Sequence, residues 1–270
     1  MNRLITSLFM CFMAIAAMAQ AANIEVSYDW TSFDRNGTKI TRQMTLLAGQ
    51  GLSKFYNKAG EYVDSLRSTP TGIKQYQEMA AAYMSAGQLS SLPQKTIYLY
   101  IVRNISESII SVYDGIEEIS EYKFMYQEPL VAQEWEIMND STSTIHGYEC
   151  IKATCSWRGR TWNVWFSPEI PIDNGPWKLC GLPGLILAAE DATGQHKFIA
   201  KAIENSEREI IPNPGNYTYE KISRKEMLKI LRKYFEYPVE VFNADADGAF
   251  DGEHSTPINE KCEFLEIDYE

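Results

Sequence analysis

The stretch Tyr148–Ser167, YECIKATCSWRGRTWNVWFS, decides the fold. With Arg158-Gly159 as a two-residue turn, it folds back on itself as a hairpin. Ile151 then faces Phe166, Ala153 faces Val164 and Cys155 faces Trp162, all on one side because strand side chains alternate. The opposite side pairs Lys152 with Trp165, Thr154 with Asn163 and Ser156 with Thr161. One face is apolar and the other mostly polar, and a slip of one residue mixes them. The hairpin belongs to a sheet with one buried side.

Outward from it, the same alternation or β-branched and aromatic enrichment marks strands at 24–30, 39–47, 96–102, 108–113, 121–126, 134–138, 184–190 and 196–203. Two segments carry helical spacing instead. Residues 72–86 place Ile73, Tyr76, Met79, Ala80 and Tyr83 on one side. Residues 223–236 open on a capping box, Ser223 to Glu226, and place Met227, Ile230, Leu231 and Phe235 on one face. Pro238 stops that helix. The tally is a mainly β, α+β chain: an antiparallel sheet with two helices. Leu182-Pro183-Gly184-Leu185 has the order of a type II turn, which needs positive φ at Gly184. The Leu185–Ala189 run that follows lacks alternation and reads as a strand buried on both faces.

The chain opens with Asn2-Arg3, an apolar run from Leu4 to Met18 and a small-x-small triplet, Ala17-Met18-Ala19. This reads as a signal peptide over residues 1–22, too short to span a bilayer, leaving a single domain over 23–270 with an acidic tail from about 241. The mature chain is expected in the periplasm or outside the cell. Net charge is −11, and removing Arg3 leaves 24 basic against 36 acidic residues. Such a surface argues against nucleic-acid partners, and no later segment is apolar enough to span a membrane as a helix.

Trp157–Ala188, WRGRTWNVWFSPEIPIDNGPWKLCGLPGLILA, holds four of the six tryptophans and resembles the signature of the GLPGLI family of exported bacterial proteins. Trp135, Ile145–Cys150, Pro168-Glu-Ile-Pro171, Gly175-Pro-Trp177 and Ser53–Tyr56 extend the likeness. The resemblance implies a β-rich exported protein associated with outer-membrane transport. It also implies a curved sheet or half-barrel similar to periplasmic lipoprotein carriers, with helices on its concave side.

The chemistry-bearing residues are sparse. Cys150, Cys155, Cys180 and Cys262 remain after export. Cys150 and Cys155 lie roughly 17 Å apart along one strand, beyond the ~7 Å a disulfide allows. Cys150–Cys180 is the preferred bridge, with Cys155 a buried thiol or bonded to Cys262. The three histidines are scattered, and neither a CxxC, an HExxH nor a GxSxG motif occurs. No cofactor is expected beyond calcium at Asn243, Asp245, Asp247 and Asp251. That loop departs from the pattern with Asn243 at its first position and His254 at its twelfth. Trp165, on the polar face, and Trp177 are the aromatic ligand-contact candidates. Arg158 and Arg160, at the turn, are either solvated or bind a carboxylate or a partner.

These features describe an exported, non-enzymatic accessory or binding protein of the cell envelope. Its half-barrel would hold an apolar small molecule, lipid or peptide. The rival readings are an assembly factor for an outer-membrane transport protein and a carboxylate-based hydrolase. An apolar cavity above about 300 Å³ between sheet and helix separates a carrier from a filled assembly factor.

Overall fold

The computed structural model describes residues 21–116, 123–215, 217–237 and 262–269. They form one sheet of twelve strands. In chain order these are β1 (Ile24–Phe33), β2 (Lys39–Ala48), β3 (Leu52–Tyr56), β4 (Tyr100–Asn104), β5 (Ile109–Gly115), β6 (Lys123–Pro129), β7 (Glu136–Ile145), β8 (Tyr148–Trp157), β9 (Arg160–Ser167), β10 (Leu185–Asp191), β11 (Lys197–Asn205) and β12 (Glu220–Lys221). The order across the sheet is β12-β6-β5-β4-β3-β2-β1-β11-β10-β9-β8-β7, two meanders joined where β1 pairs antiparallel with β11. Only the β12–β6 pair is parallel.

That order forces curvature. The strands β6 and β7 lie ten spacings apart, roughly 48 Å in a flat sheet. Yet only residues 130–135 join them, a link that reaches at most about 25 Å when extended. The sheet must therefore curl until its two meanders face each other, open along one side. The expected curved antiparallel sheet is what forms.

The hairpin register is the one the alternation dictates: Ile151↔Phe166, Ala153↔Val164 and Cys155↔Trp162, with Lys152↔Trp165 on the other face. Arg158 and Gly159 both take positive φ, 54° and 81°, as a type I′ turn requires. Trp162, Val164 and Phe166 are buried. Leu185, Ile186 and Leu187 of β10 are buried on both faces of their strand.

Three helices lie among the described residues: α1 (Lys58–Arg67), α2 (Pro70–Ser85) and α3 (Arg224–Glu236). Ser223 caps α3, its hydroxyl accepting from the Glu226 N–H at 3.2 Å. α1 escaped the periodicity because Gly60 interrupts a ten-residue segment, although Asn57 caps it and accepts from the Gly60 N–H. α3 alone covers the concave side, with Met227 and Leu228 buried. α2 packs against α1 and leaves Ile73 and Met84 exposed, so its apolar side is not a lid on the sheet.

The interior is filled by residues 168–184, which run inside the curl between β9 and β10. Trp177, Lys178, Leu179, Cys180 and Leu182 are all buried there. The Arg103 guanidinium, itself buried on β4, crosses the interior to this plug. It donates to the Asn174 side chain at 2.5 Å and to the carbonyls of Trp177 and Leu179 at 3.0 and 2.9 Å.

One local expectation needs correcting. Gly184 does not take positive φ. The Gly184 N–H instead bonds the Leu182 carbonyl at 2.8 Å, a tight turn over Pro183. Glycine is needed for space: a Cβ there would collide with the Ser167 carbonyl. The fold also takes in Ala21, which bridges Glu209, and the buried Ala22, two residues the sequence reading placed in the signal segment. Residues 1–20 of that segment lie outside the described residues. Gly184→Ala should lower the free energy of unfolding by about 3 kcal/mol, because the obstructing atom is backbone and cannot swing away. Urea denaturation checks this, and a loss below half a kilocalorie would contradict it.

Candidate binding site

Where α3 bridges the curl, the sheet, the plug and residues 262–266 leave a cavity of about 270 Å³. Its walls are mainly apolar: Val112 from β5, Leu99 before β4, Met227, Leu231 and Phe235 from α3, and Phe264. Trp30 of β1 forms one end. Its ring stacks on Phe198 at 5.7 Å and 15° and carries the Arg42 guanidinium at 5.3 Å. The Trp30 indole N–H donates to Nδ1 of His196 at 3.3 Å, and Nε2 of His196 sits 2.9 Å from the Glu263 carbonyl. That pairing places the His196 proton on Nε2. Burial and the nearby Arg160 push the imidazole down to about 4, so it is a neutral wall residue at physiological pH.

Besides the ion pairs Lys178–Glu266 and Arg232–Glu263, Arg42 and Asp114 line this space. Arg42 donates to the Ser32 hydroxyl at 2.8 Å, and burial lowers its pKa. Asp114 accepts from the Gly115 N–H at 2.8 Å. Burial pushes its carboxyl up to about 7, against the opposing pull of that N–H and of the Lys95 ammonium. Desolvation thus dominates at Asp114.

The floor is a buried ionic knot. Lys178 of the plug is fully buried and donates to Tyr126 Oη at 2.6 Å and Glu266 Oε1 at 2.5 Å, with Glu128 Oε1 at 2.7 Å. Burial alone would raise the Glu266 carboxyl, but Lys178 and Arg224 hold it below the usual range. Residues 262–269 are strapped down by the same cations. Arg224 bonds Glu266 and Asp268 at 2.6 and 2.7 Å, and the Ile267 N–H reaches the Arg158 carbonyl at 3.1 Å.

The residues singled out from sequence that fall among the described ones each have a definite place. Trp177 is buried beneath the cavity in the left-handed region (φ 56°), packed on Trp162 with centroids 5.4 Å apart. Arg158 and Arg160 are not free for a partner. Arg158 pairs with Glu128 and lies 3.5 Å from Asp268, while Arg160 bonds Asp191 at 2.9 Å and the Phe264 carbonyl at 3.0 Å. Trp165 lies on the outer face, away from the cavity, in a shallow groove with Lys152. Cys150, Cys155, Cys180 and Cys262 are all free and buried, which corrects the expected Cys150–Cys180 bridge. Cys150 sits on β8 against the Tyr148 carbonyl, whereas Cys180 sits in the plug with its N–H on Gln133. Burial raises all four thiols, Cys155 to about 12, so they behave as core atoms. The calcium loop, Asn243, Asp245, Asp247 and Asp251, lies outside the described residues. Among the described residues no group of three or more His, Cys, Asp or Glu is placed to hold a metal ion. No described helix is long and apolar enough to cross a membrane.

Sequence reasoning missed Trp30, Arg42, Asp114 and Lys178. The usable signal was charge embedded in apolar runs, as in PWKLCGL over 176–182 and YIVRN over 100–104. A charge in such a setting is paired internally or functional.

The architecture defines a class: a curled, mainly β domain whose own loop fills the concavity and leaves one amphipathic cavity under a helix. Residues 78–243 match the family described as N-glycanase peptide, N-terminal domain, of the PNGase F-II type, and the chain belongs to that family. This overturns the GLPGLI resemblance, whose signature stretch lies wholly inside the matched residues. Two solved structures of PNGF-II, in C2 and P21 space groups, share the fold. Their TM-scores are 0.51 and 0.50 at 13% and 14% identity, covering 79% and 77% of this chain. The match covers 33% of each PNGF-II chain, about a third of its length. No curated protein matches the sequence.

Asp114 gives the cavity a pH signature. An unfolded aspartate titrates near 3.9, whereas the folded carboxyl titrates at about 7. The fold therefore holds this proton more tightly than the unfolded chain. The stabilisation is complete below pH ~4 and is lost as pH rises through 7. Asp114→Asn should raise stability over wild type by on the order of 1–2 kcal/mol at pH 8, or roughly 3–6 °C, and by far less at pH 5. Melting curves at the two pH values check this, and an equal difference at both would contradict it.

Proposed function

We propose that this chain is an exported, non-enzymatic binding domain of the cell envelope, whose concave cavity takes an apolar side chain presented by a peptide or glycoprotein partner. The observation that carries this reading is the cavity under α3, with mainly apolar walls in which Lys178, Glu266, Arg232 and Glu263 are ion-paired. At about 270 Å³ it falls just under the ~300 Å³ floor of sites for drug-sized ligands. That size favours an anchoring side chain over an entire lipid. Arg42 and Asp114 supply one donor and one acceptor for the flanking backbone, the usual division of labour in a peptide-binding pocket. Family membership supports a partner connected with glycoproteins, since the family takes its name from an N-glycanase. Export rests on the composition of residues 1–19.

A hydrolase is the second reading, favoured by one observation. Asp114, raised to about 7, and Glu266, held low, line the same cavity, the split that acid–base pairs use. Binding stands ahead of it because the Glu266 oxygens are already engaged by Lys178 and Arg224.

The test is retention of tryptic peptides from a denatured N-glycoprotein on the immobilised chain, wild type against Leu231→Trp, which fills the cavity. Wild type should retain peptides rich in aromatic and large aliphatic residues, and the variant should lose at least ~10-fold of that signal, or about 1.4 kcal/mol. Equal retention by both proteins removes the cavity from the account.

A further inference from the structure

The outer face of the Trp hairpin carries a second feature that the cavity does not explain. Trp165 is an indole on an otherwise polar face, partly buried against the core and lining a groove of about 370 Å³. Register builds the groove. On the β8 side Lys152 pairs with Trp165, and its ammonium lies 5.7 Å from the ring centroid. On the β10 side the pair is Ala188, whose methyl leaves the flank of the indole uncovered. One pleat further along, Asn163 of β9 pairs with Glu190 of β10, which places an amide beside the ring together with a carboxylate that bonds Lys197 through Oε2 at 3.0 Å. The turn after β10, including Thr193, closes that end.

The platform is rigid. β8, β9 and β10 are all internal strands of the sheet, and Val164 and Phe166, flanking Trp165, are anchored in the core. A single flat indole set on interior strands and ringed by an ammonium, an amide and a carboxylate is poorly suited to an apolar partner. An apolar partner would offer these polar groups nothing to bond. It is well suited to a pyranose. The axial C–H bonds of a sugar with equatorial hydroxyls form an apolar face that lies on an aromatic ring. Its rim of hydroxyls both donates and accepts, so it is matched by groups of both kinds. The ammonium of Lys152 does not seal the ring, being near the ~6 Å outer limit of cation–π contact.

We propose that the Trp165 groove is a saccharide-binding site for β-linked, equatorially substituted hexopyranosides. Trp165 stacks on the sugar face, Asn163 and Glu190 bond adjacent hydroxyls, and Lys152 donates to a ring or hydroxyl oxygen. The site is separate from the cavity under α3 and stands whether or not that cavity binds a peptide.

The experiment is saturation-transfer NMR and calorimetry on the full chain with cellobiose, N,N′-diacetylchitobiose and lactose. At least one disaccharide should bind with Kd on the order of 1 mM. Trp165→Ala should weaken it at least ~10-fold, and Trp165→Phe, which keeps a smaller ring, should weaken it less. Leu231→Trp, which blocks only the cavity, should leave saccharide binding intact. Thermal melts confirm that each variant is folded. The proposal is overturned if none of the three sugars shows transfer at about 20 mM. Binding unaffected by Trp165→Ala, or abolished by Leu231→Trp, overturns it equally.

Discussion

Two cations buried inside a curled sheet, Arg103 and Lys178, set the terms for the rest of this molecule. A buried charge is costly unless every polar contact around it is made. Arg103 meets that condition only by gripping the carbonyls of Trp177 and Leu179 together with the Asn174 side chain. Lys178 meets it only where Tyr126, Glu128 and Glu266 converge. These requirements tie β4, β6, the 168–184 plug and the strap at 262–269 to one another. Neither the plug nor the strap has regular secondary structure, so backbone ladders alone would not fix their paths. The charges do.

The cavity follows from the same arrangement. The plug fills the concavity from the β9–β10 side, and α3 spans the rest on Met227 and Leu228. What remains between them is bounded by Trp30 at one end and the Lys178 knot at the floor. His196 illustrates how tightly the walls are specified. It accepts from Trp30 and meets the Glu263 carbonyl, so its ring is fully committed and stays neutral. Arg42 and Asp114 line the space beside the paired Lys178–Glu266 and Arg232–Glu263. Most ionisable groups near the cavity already answer one another.

Much of the local structure was legible from residue order. The 148–167 hairpin could be registered because its two faces differ so sharply, and α3 because Ser223 and Glu226 mark its start. Long-range placement was not legible. Residues 168–181 carry no strand or helix pattern, and their burial depends on partners at Arg103 and Glu266, far away in the chain. Gly184 matched a type II turn by composition, but a close approach to Ser167 is the actual constraint. The cysteine count suggested disulfides, whereas burial among apolar neighbours accounts for each thiol without a bond. Arg158 and Arg160, read as solvated or as binding a carboxylate or a partner, bind the carboxylates of Glu128 and Asp191, and the strap that also engages them lies about a hundred positions later. The GLPGLI resemblance rested on a real cluster of residues but assigned it to the wrong family.

The central claim is that residues 168–184 are core, held inside the sheet by buried charge. Native-state amide hydrogen exchange tests it most directly, through the Asn174 N–H, bonded to the Ile172 carbonyl at 2.8 Å, and the Cys180 N–H, bonded to Gln133 at 2.7 Å. If the plug is core, both amides exchange only through global unfolding, as slowly as the amides of β9. If both exchange orders of magnitude faster than β9, the plug is a surface loop, and the cavity built upon it disappears.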